Sequence, residues 1–225
     1  MSRQSLLLLI IFSACTKAAK EPAKISFHNV LILGNSITKH SKAPEIGWNG
    51  DWGMAASSRE KDYVHLLQSN LQKLNTLSVV TAVNISAFER NFRDYDLSKF
   101  DTLKQLKPDL IILRIGENVE DSVAVKYNFE SKYKDLVQYF KQGNNQVKIL
   151  AVGSFWKKDT VEAAIKHAAQ ATGCSYLSLN YLTEDPSNMA FANFTDPGVG
   201  AHPGDKGMRE VSRLIWDKII ENTGK

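Results

Sequence analysis

Cysteine is scarce: Cys15 and Cys174 are the only two among 225 residues. Two thiols can build neither a disulfide framework nor a cysteine-based zinc site. Clustered positive charge is missing too. The 28 Lys and Arg are interspersed with 24 Asp and Glu, for a net charge of +4, so the patch expected of a nucleic-acid protein is absent. No apolar run approaches the ~20 residues that span a bilayer; the longest runs from Leu6 to Phe12. His28, His40, His65 and His167 lack paired ligand spacing, so neither a metal nor another cofactor is expected. No Gly-x-Gly-x-x-Gly or Walker sequence follows the first strand-like run, which argues against a nucleotide-binding protein. Internal repeats and low-complexity stretches are also lacking. With 43% hydrophobic and 23% charged residues, the chain can nonetheless bury a sizeable core.

The first residues read as an address. Arg3 precedes the apolar run, and Ser13-Ala14-Cys15 follows it, as in a signal peptide. The tripeptide resembles a bacterial lipobox, with Phe12 where Leu is more usual, and implies lipidation of Cys15. The alternative is an ordinary cleaved signal with an incidental cysteine. The expected organisation is a signal segment at 1–14, a polar tether at 15–24 containing Pro22, and a folded domain at 25–225. The expected location is the bacterial cell envelope, in the periplasm or at the outer membrane, with membrane contact only through the lipid anchor at Cys15. A monomer is the default.

Strand and helix patterns then alternate. NVLIL at 29–33 is a short apolar run ending at Gly34, the pattern of a buried parallel strand. Similar runs occupy 110–115 and 147–152, with shorter candidates at 79–83 and 176–179. Between them lie helical periodicities. Ser57 and Glu60 form a capping box ahead of Tyr63, Val64, Leu67, Leu71 and Leu74. Helices are expected over 121–141 and 159–171. A last one, over 205–222, has Met208, Val211, Leu214, Ile215 and Ile219 on one face. Alternation of this kind implies one α/β domain with a mostly parallel five-stranded sheet between two helical layers, a three-layer α/β/α sandwich.

Ligands in such sheets bind at the carboxyl ends of the strands. Ser36 lies just past the first strand, in Gly34-Asn35-Ser36-Ile37-Thr38; Ser36 or Thr38 could instead cap a helix. Gly116-Glu117-Asn118 ends the third clear strand, and His202 precedes the last helix. Serine, a side-chain amide and histidine at one sheet end are the residue types of acyl transfer: nucleophile, oxyanion donor and general base.

In this order the blocks resemble the SGNH hydrolase superfamily, the GDSL-like lipases and esterases, from Asn29 to the C-terminus. The family's first block appears as GNSIT, with Asn35 in place of Asp. Its third appears as Gly116-Glu117-Asn118-Val119, which keeps the Asn but not the following Asp. Its fifth appears as His202-Pro203 with Gly207. Asn84-Ile85-Ser86-Ala87-Phe88 stands where the second block has a glycine at the position of Ala87. The resemblance implies a flavodoxin-like SGNH fold, with Ser36 as nucleophile and His202 as base. It implies an oxyanion hole formed by the Ser36 and Ala87 backbone N–H groups and the Asn118 amide.

One departure concerns the triad acid. The family places Asp three residues before the histidine, where this chain has Val199. Three alternatives stand: Asp196 reaches the imidazole, a backbone carbonyl accepts the Nδ1 proton to leave a dyad, or the site is inactive. Asp205 is expected to cap the last helix.

The loop 39–58 carries Trp48 and Trp52; they either stack on sugar faces or pack as a lid. Its wording resembles exported SGNH esterases of glycan-degrading bacteria, and no broad apolar lid suggests a lipase. The expected substrate is therefore an acetylated or otherwise short-acylated carbohydrate. A general short-chain esterase, thioesterase or lysophospholipase is the alternative within the same chemistry, and a non-catalytic glycan-binding protein the alternative outside it.

Overall fold

A computed structural model describes residues 26–223. The signal segment 1–14, Cys15 and the tether 15–24 lie outside the described residues. Five parallel strands form the centre: β1 (Asn29–Gly34), β2 (Val79–Asn84), β3 (Leu110–Arg114), β4 (Lys148–Val152) and β5 (Ser175–Leu177), in the order β2-β1-β3-β4-β5. This is the flavodoxin-like order, and its direction reverses between β1 and β3, the switch point at whose strand ends such sheets bind ligands.

Period-2 alternation assigns the two faces of the sheet. Leu31, Leu33, Ile111, Leu113, Ile149 and Ala151 point to one side. There they meet α2 (Ser86–Asn91), α4 (Asp121–Lys126), α5 (Phe129–Lys141) and α6 (Asp159–Ala171), while α3 (Asp101–Lys104) covers the edge of this layer. Val30, Ile32, Leu110, Ile112, Leu150 and Val152 point the other way. They pack on α1 (Tyr63–Leu74) and α8 (Asp205–Thr223). The one-turn α7 (Pro197–Gly200) leads into α8. The expected three layers are therefore present, with every strand pairing parallel.

Two helical expectations are corrected. The helix expected over 121–141 is two helices, because Asn128 takes a left-handed conformation (φ 51°) and its side chain accepts from Ser131 N at 3.1 Å, capping α5. The capping box of Ser57 and Glu60 does not start α1. Asp62 does, accepting from His65 N at 2.8 Å, while its other oxygen holds Gly53 N at 3.1 Å. Ser57 instead donates its N–H and hydroxyl to Asp205, each at 2.8 Å, and Lys61 joins the same carboxylate at 2.9 Å. Asp205 thus sits at the start of α8, where a negative charge suits the helix dipole, but its carboxylate fastens the loop ahead of α1.

Candidate active site

Three adjacent strands end at one place. Asn84, the last residue of β2, pairs with Gly34 of β1, and Leu113 of β3 pairs with Leu33. The turn after β1 is closed by Thr38 N and Lys39 N, which both donate to Asn35 O at 2.9 and 3.0 Å. Gly34 permits this turn because a Cβ there would strike the Thr38 side chain, whose hydroxyl bonds Tyr63 OH at 2.6 Å. Ser36 is left half-buried at the strand ends.

Ser36 Oγ lies 2.8 Å from His202 Nε2. On the far side of the ring, Nδ1 is 2.7 Å from the carbonyl oxygen of Gly198. A carbonyl only accepts, so the proton resides on Nδ1 and the Nε2 lone pair faces the serine hydroxyl. Burial pushes the imidazole down to about 4. The Gly198 carbonyl and the charge of Glu117, which favour the charged form, offset this only in part, and the charges of Arg114 and His40 act with burial to lower the value. The histidine is therefore a neutral base near pH 7 with the tautomer needed to take a proton from Ser36.

Asp196 is not brought to His202. Its carboxylate caps α7 by accepting from Val199 N at 2.9 Å. That one turn of helix carries the Gly198 carbonyl to Nδ1, so the role considered for Asp196 falls to the backbone. Val199 is 1% exposed and faces a small cluster with Trp48, Met54 and Ala190.

Beneath the turn lies a polar cluster that is almost wholly buried. Asn35 Oδ1 accepts from Arg114 Nη2 at 2.6 Å, and its amide donates to Glu117 Oε2 at 2.6 Å and to Glu89 Oε1 at 3.2 Å. Arg114 pairs with Glu117 at 2.8 Å. Glu117 also accepts Phe155 N at 2.7 Å. Glu89 accepts Gly116 N at 2.6 Å and Asn118 Nδ2 at 2.7 Å; Gly116 can point its N–H there because it adopts φ 137°. Burial and then the charge of Glu117 raise Glu89 above the ordinary carboxylate range.

Glu89 and Asn118 concern the expected oxyanion donors. One Asn118 N–H is committed to Glu89, and Arg90 Nη2 donates to Asn118 Oδ1 at 3.1 Å. The amide is thus held from both ends with its second N–H to spare. Ala87 is the second residue of α2, within the first turn, where backbone N–H groups have no helical acceptor. Ser36, Ala87 and Asn118 accordingly sit at the same end of β1, β2 and β3.

The two tryptophans of loop 39–58 have a packing role. Trp48 is 2% exposed, donates to His40 O at 3.3 Å and lies edge-on to Trp52 at 5.5 Å. Trp52 is half-buried and donates to Ala56 O at 3.0 Å. Stacking of Trp48 on a sugar, one of the two sequence-based expectations, has no free ring face to support it. The loop is a fitted strap, tied to the turn that carries Ser36 by Met54 N donating to Ser36 O at 2.9 Å. The aromatic that does reach the site is Trp156, after β4. Its ring lies edge-on to His202 at 5.1 Å, and its Nε1 donates to Ala201 O at 3.1 Å. Its place at the carboxyl end of a strand was the signal available in the sequence.

A serine in contact with a neutral histidine, amide donors alongside, at the switch point of a parallel sheet, is the arrangement of a serine acyl hydrolase. The chain belongs to the GDSL-like Lipase/Acylhydrolase family, whose profile matches residues 32–210. Solved structures share the fold at low identity. A two-domain esterase (CEX) active on acetylated mannans superposes with TM-score 0.62 at 15% identity, covering 88% of this chain and 49% of that one. This chain thus spans about half the length of that esterase. An acetyl xylan esterase, AlAXEase, gives TM-score 0.56 at 20% identity over 84% of this chain and 98% of that one. A catalytic mutant of an acetylxylan esterase from Geobacillus stearothermophilus gives 0.54 at 16%, over 87% and 96%. No curated protein sequence matches this chain.

Proposed function

We propose that this protein is a serine esterase that removes acetyl or other short acyl groups from oligo- or polysaccharides. The observation that carries the proposal is the 2.8 Å contact of Ser36 Oγ with His202 Nε2, whose tautomer the Gly198 carbonyl sets. His202 takes the Ser36 proton as Oγ attacks the ester carbonyl. The oxyanion is received by the Ser36 and Ala87 N–H groups and the free N–H of Asn118. The protonated imidazole then gives its proton to the departing sugar oxygen, leaving an acyl-enzyme. Water, deprotonated by the same nitrogen, releases the acid and restores Ser36.

A dyad of this kind keeps the tautomer that a triad acid normally secures, and a wrong tautomer accounts for losses of about 10⁴ in kcat when such an acid is replaced by its amide. What it lacks is a carboxylate to stabilise the imidazolium. The carbohydrate preference is supported by the fold neighbours that act on acetylated mannan and xylan, and export with a lipid anchor at Cys15 by the residues that precede it. Acetate release from p-nitrophenyl acetate and from acetylated xylo-oligosaccharides, for wild type beside Ser36→Ala, tests the proposal. Turnover by wild type alone supports it. Equal silence of both proteins on every ester would leave a fold retained for binding.

A further inference from the structure

Beside the oxyanion block lies an open cavity of about 490 Å³, within the ~300–1,000 Å³ typical of small-molecule sites. Arg90, Arg93 and Lys126 line it, together with Tyr127. Arg90 belongs to both places: the guanidinium that lines the cavity also donates to Asn118 Oδ1 at 3.1 Å and, through Nη1, to Ser86 Oγ at 2.9 Å. The Arg93 guanidinium stands over the Tyr127 ring at 5.0 Å, and the Lys126 ammonium at 5.1 Å. Among the described residues the one carboxylate paired with these three cations is Asp94, on Arg93 at 2.6 Å, and both partners of that pair are at least half exposed, so it is weakly held. Arg90 and Lys126 form no ion pair among the described residues. Hydrogen bonding to Lys126, then its charge, and after them Arg93 draw the Tyr127 phenol below its ordinary value.

We infer that this cavity is a subsite for an anionic substituent, carboxylate or sulfate, on the sugar that carries the scissile ester. The inference rests on the esterase proposal and narrows it: the substrate is an ester of an acidic glycan, where the fold neighbours named above act on acetylated mannan and xylan. Arg90 lines the cavity and also donates to the Asn118 amide, so one side chain links the cavity to the proposed oxyanion donor. Arg93 and Lys126, both held over the Tyr127 ring, supply the opposing charge.

The test is calorimetric titration of the wild-type protein with tri-galacturonate, with a sulfated neutral trisaccharide and with xylotriose, none of which carries an ester. Either anionic sugar is expected to bind about tenfold tighter than xylotriose at 50 mM NaCl, and to lose most of that margin at 500 mM as the charges are screened. The anionic sugar that binds better identifies the substituent. The double charge reversal Arg93→Glu with Lys126→Glu is expected to abolish the margin. Equal affinity for the three sugars, or no binding of either anion at millimolar concentration, overturns the subsite. The two proposals fail separately. Ester turnover with no anion preference sinks the subsite and leaves the esterase standing. Anion binding that the charge reversal removes, in a protein inert toward every ester, keeps the subsite and sinks the esterase.

Discussion

Asn35 donates its side-chain amide to Glu117 at 2.6 Å while its carbonyl oxygen accepts from Arg114 at the same distance. That double use explains why an amide stands where the family pattern has Asp. A carboxylate at this position would face Glu117 and Glu89, at 2.6 and 3.2 Å, with one guanidinium among three acids. Asn35→Asp is therefore expected to destabilise the fold by about 2–4 kcal/mol near neutral pH. The sign of its pH dependence follows. The new carboxyl would have a folded-state pKa raised above its ordinary value, so the penalty is absent at low pH and grows as pH rises through that pKa. Urea unfolding at pH 5 and pH 8 checks this, and a penalty equal at both would count against three competing acids.

Asn118 is gripped by Glu89 on its amide and by Arg90 on its carbonyl oxygen. Asn118→Ala is expected to lower kcat by about 10²–10³ with little change in KM, the cost of one oxyanion donor. Glu89→Gln keeps the size but removes the charge that fixes the amide. A drop in kcat of about tenfold is expected there. Steady-state kinetics on p-nitrophenyl acetate separates kcat from KM, and a change confined to KM would place Asn118 outside the oxyanion hole.

Much of the fold is legible in the sequence because buried parallel strands are apolar on both faces, so NVLIL and LIILR stand out without any alignment. The break at Asn128 is not, since the helical periodicity continues across it and only the left-handed conformation of one residue interrupts it. Ser36, Asn118 and His202 stand out in the sequence because their residue types, in that order, are those of acyl transfer. The acceptor on Nδ1 does not: a carbonyl leaves no trace in residue identity, and Gly198 reads like any loop glycine. Glu89, Arg114 and Glu117 escape for the opposite reason. Charged residues are assigned to the surface by default, and only the structure shows them satisfying one another under the turn that carries Ser36.

The imidazole of His202, held down to about 4, predicts an unusual acid limb. Activity requires the neutral ring, so kcat/KM should remain near its plateau well below pH 6.5 and fall with a midpoint near the folded value of about 4. Stability moves in the same sense. The unfolded chain takes up a proton near pH 6.5 while the folded chain resists, so the contribution of this group is full above that pH and is lost as pH falls toward the folded value. A kcat/KM profile from pH 3.5 to 8 checks the first expectation. An acid limb centred at 6.5 would mean that the ring is solvated in the working enzyme.

Trp156 lies edge-on to His202 and ties Ala201 through its indole N–H, so it packs the imidazole whose tautomer the Gly198 carbonyl sets. Trp156→Ala is expected to lower kcat about tenfold or more, because a base displaced by an ångström loses its alignment with the hydroxyl. Trp156→Phe keeps an aromatic edge and should recover most of the loss. If Phe and Ala are equally impaired, the hydrogen bond to Ala201, and not the ring contact, holds the histidine.

Restoring the family acid at its usual place should fail. Val199 is 1% exposed and its side chain lies in the cluster with Trp48, Met54 and Ala190, turned away from the imidazole edge that Gly198 already satisfies. Val199→Asp would bury a carboxyl among the apolar neighbours of that cluster, at a cost of about 3 kcal/mol or more. It would also strain the turn of α7 whose carbonyl sets the tautomer, so kcat is expected to fall and not rise. Thermal unfolding beside p-nitrophenyl acetate turnover decides the matter. A variant that is both stable and faster would show that the turn can rotate to present an acid, and that the carbonyl is a substitute of convenience in this chain.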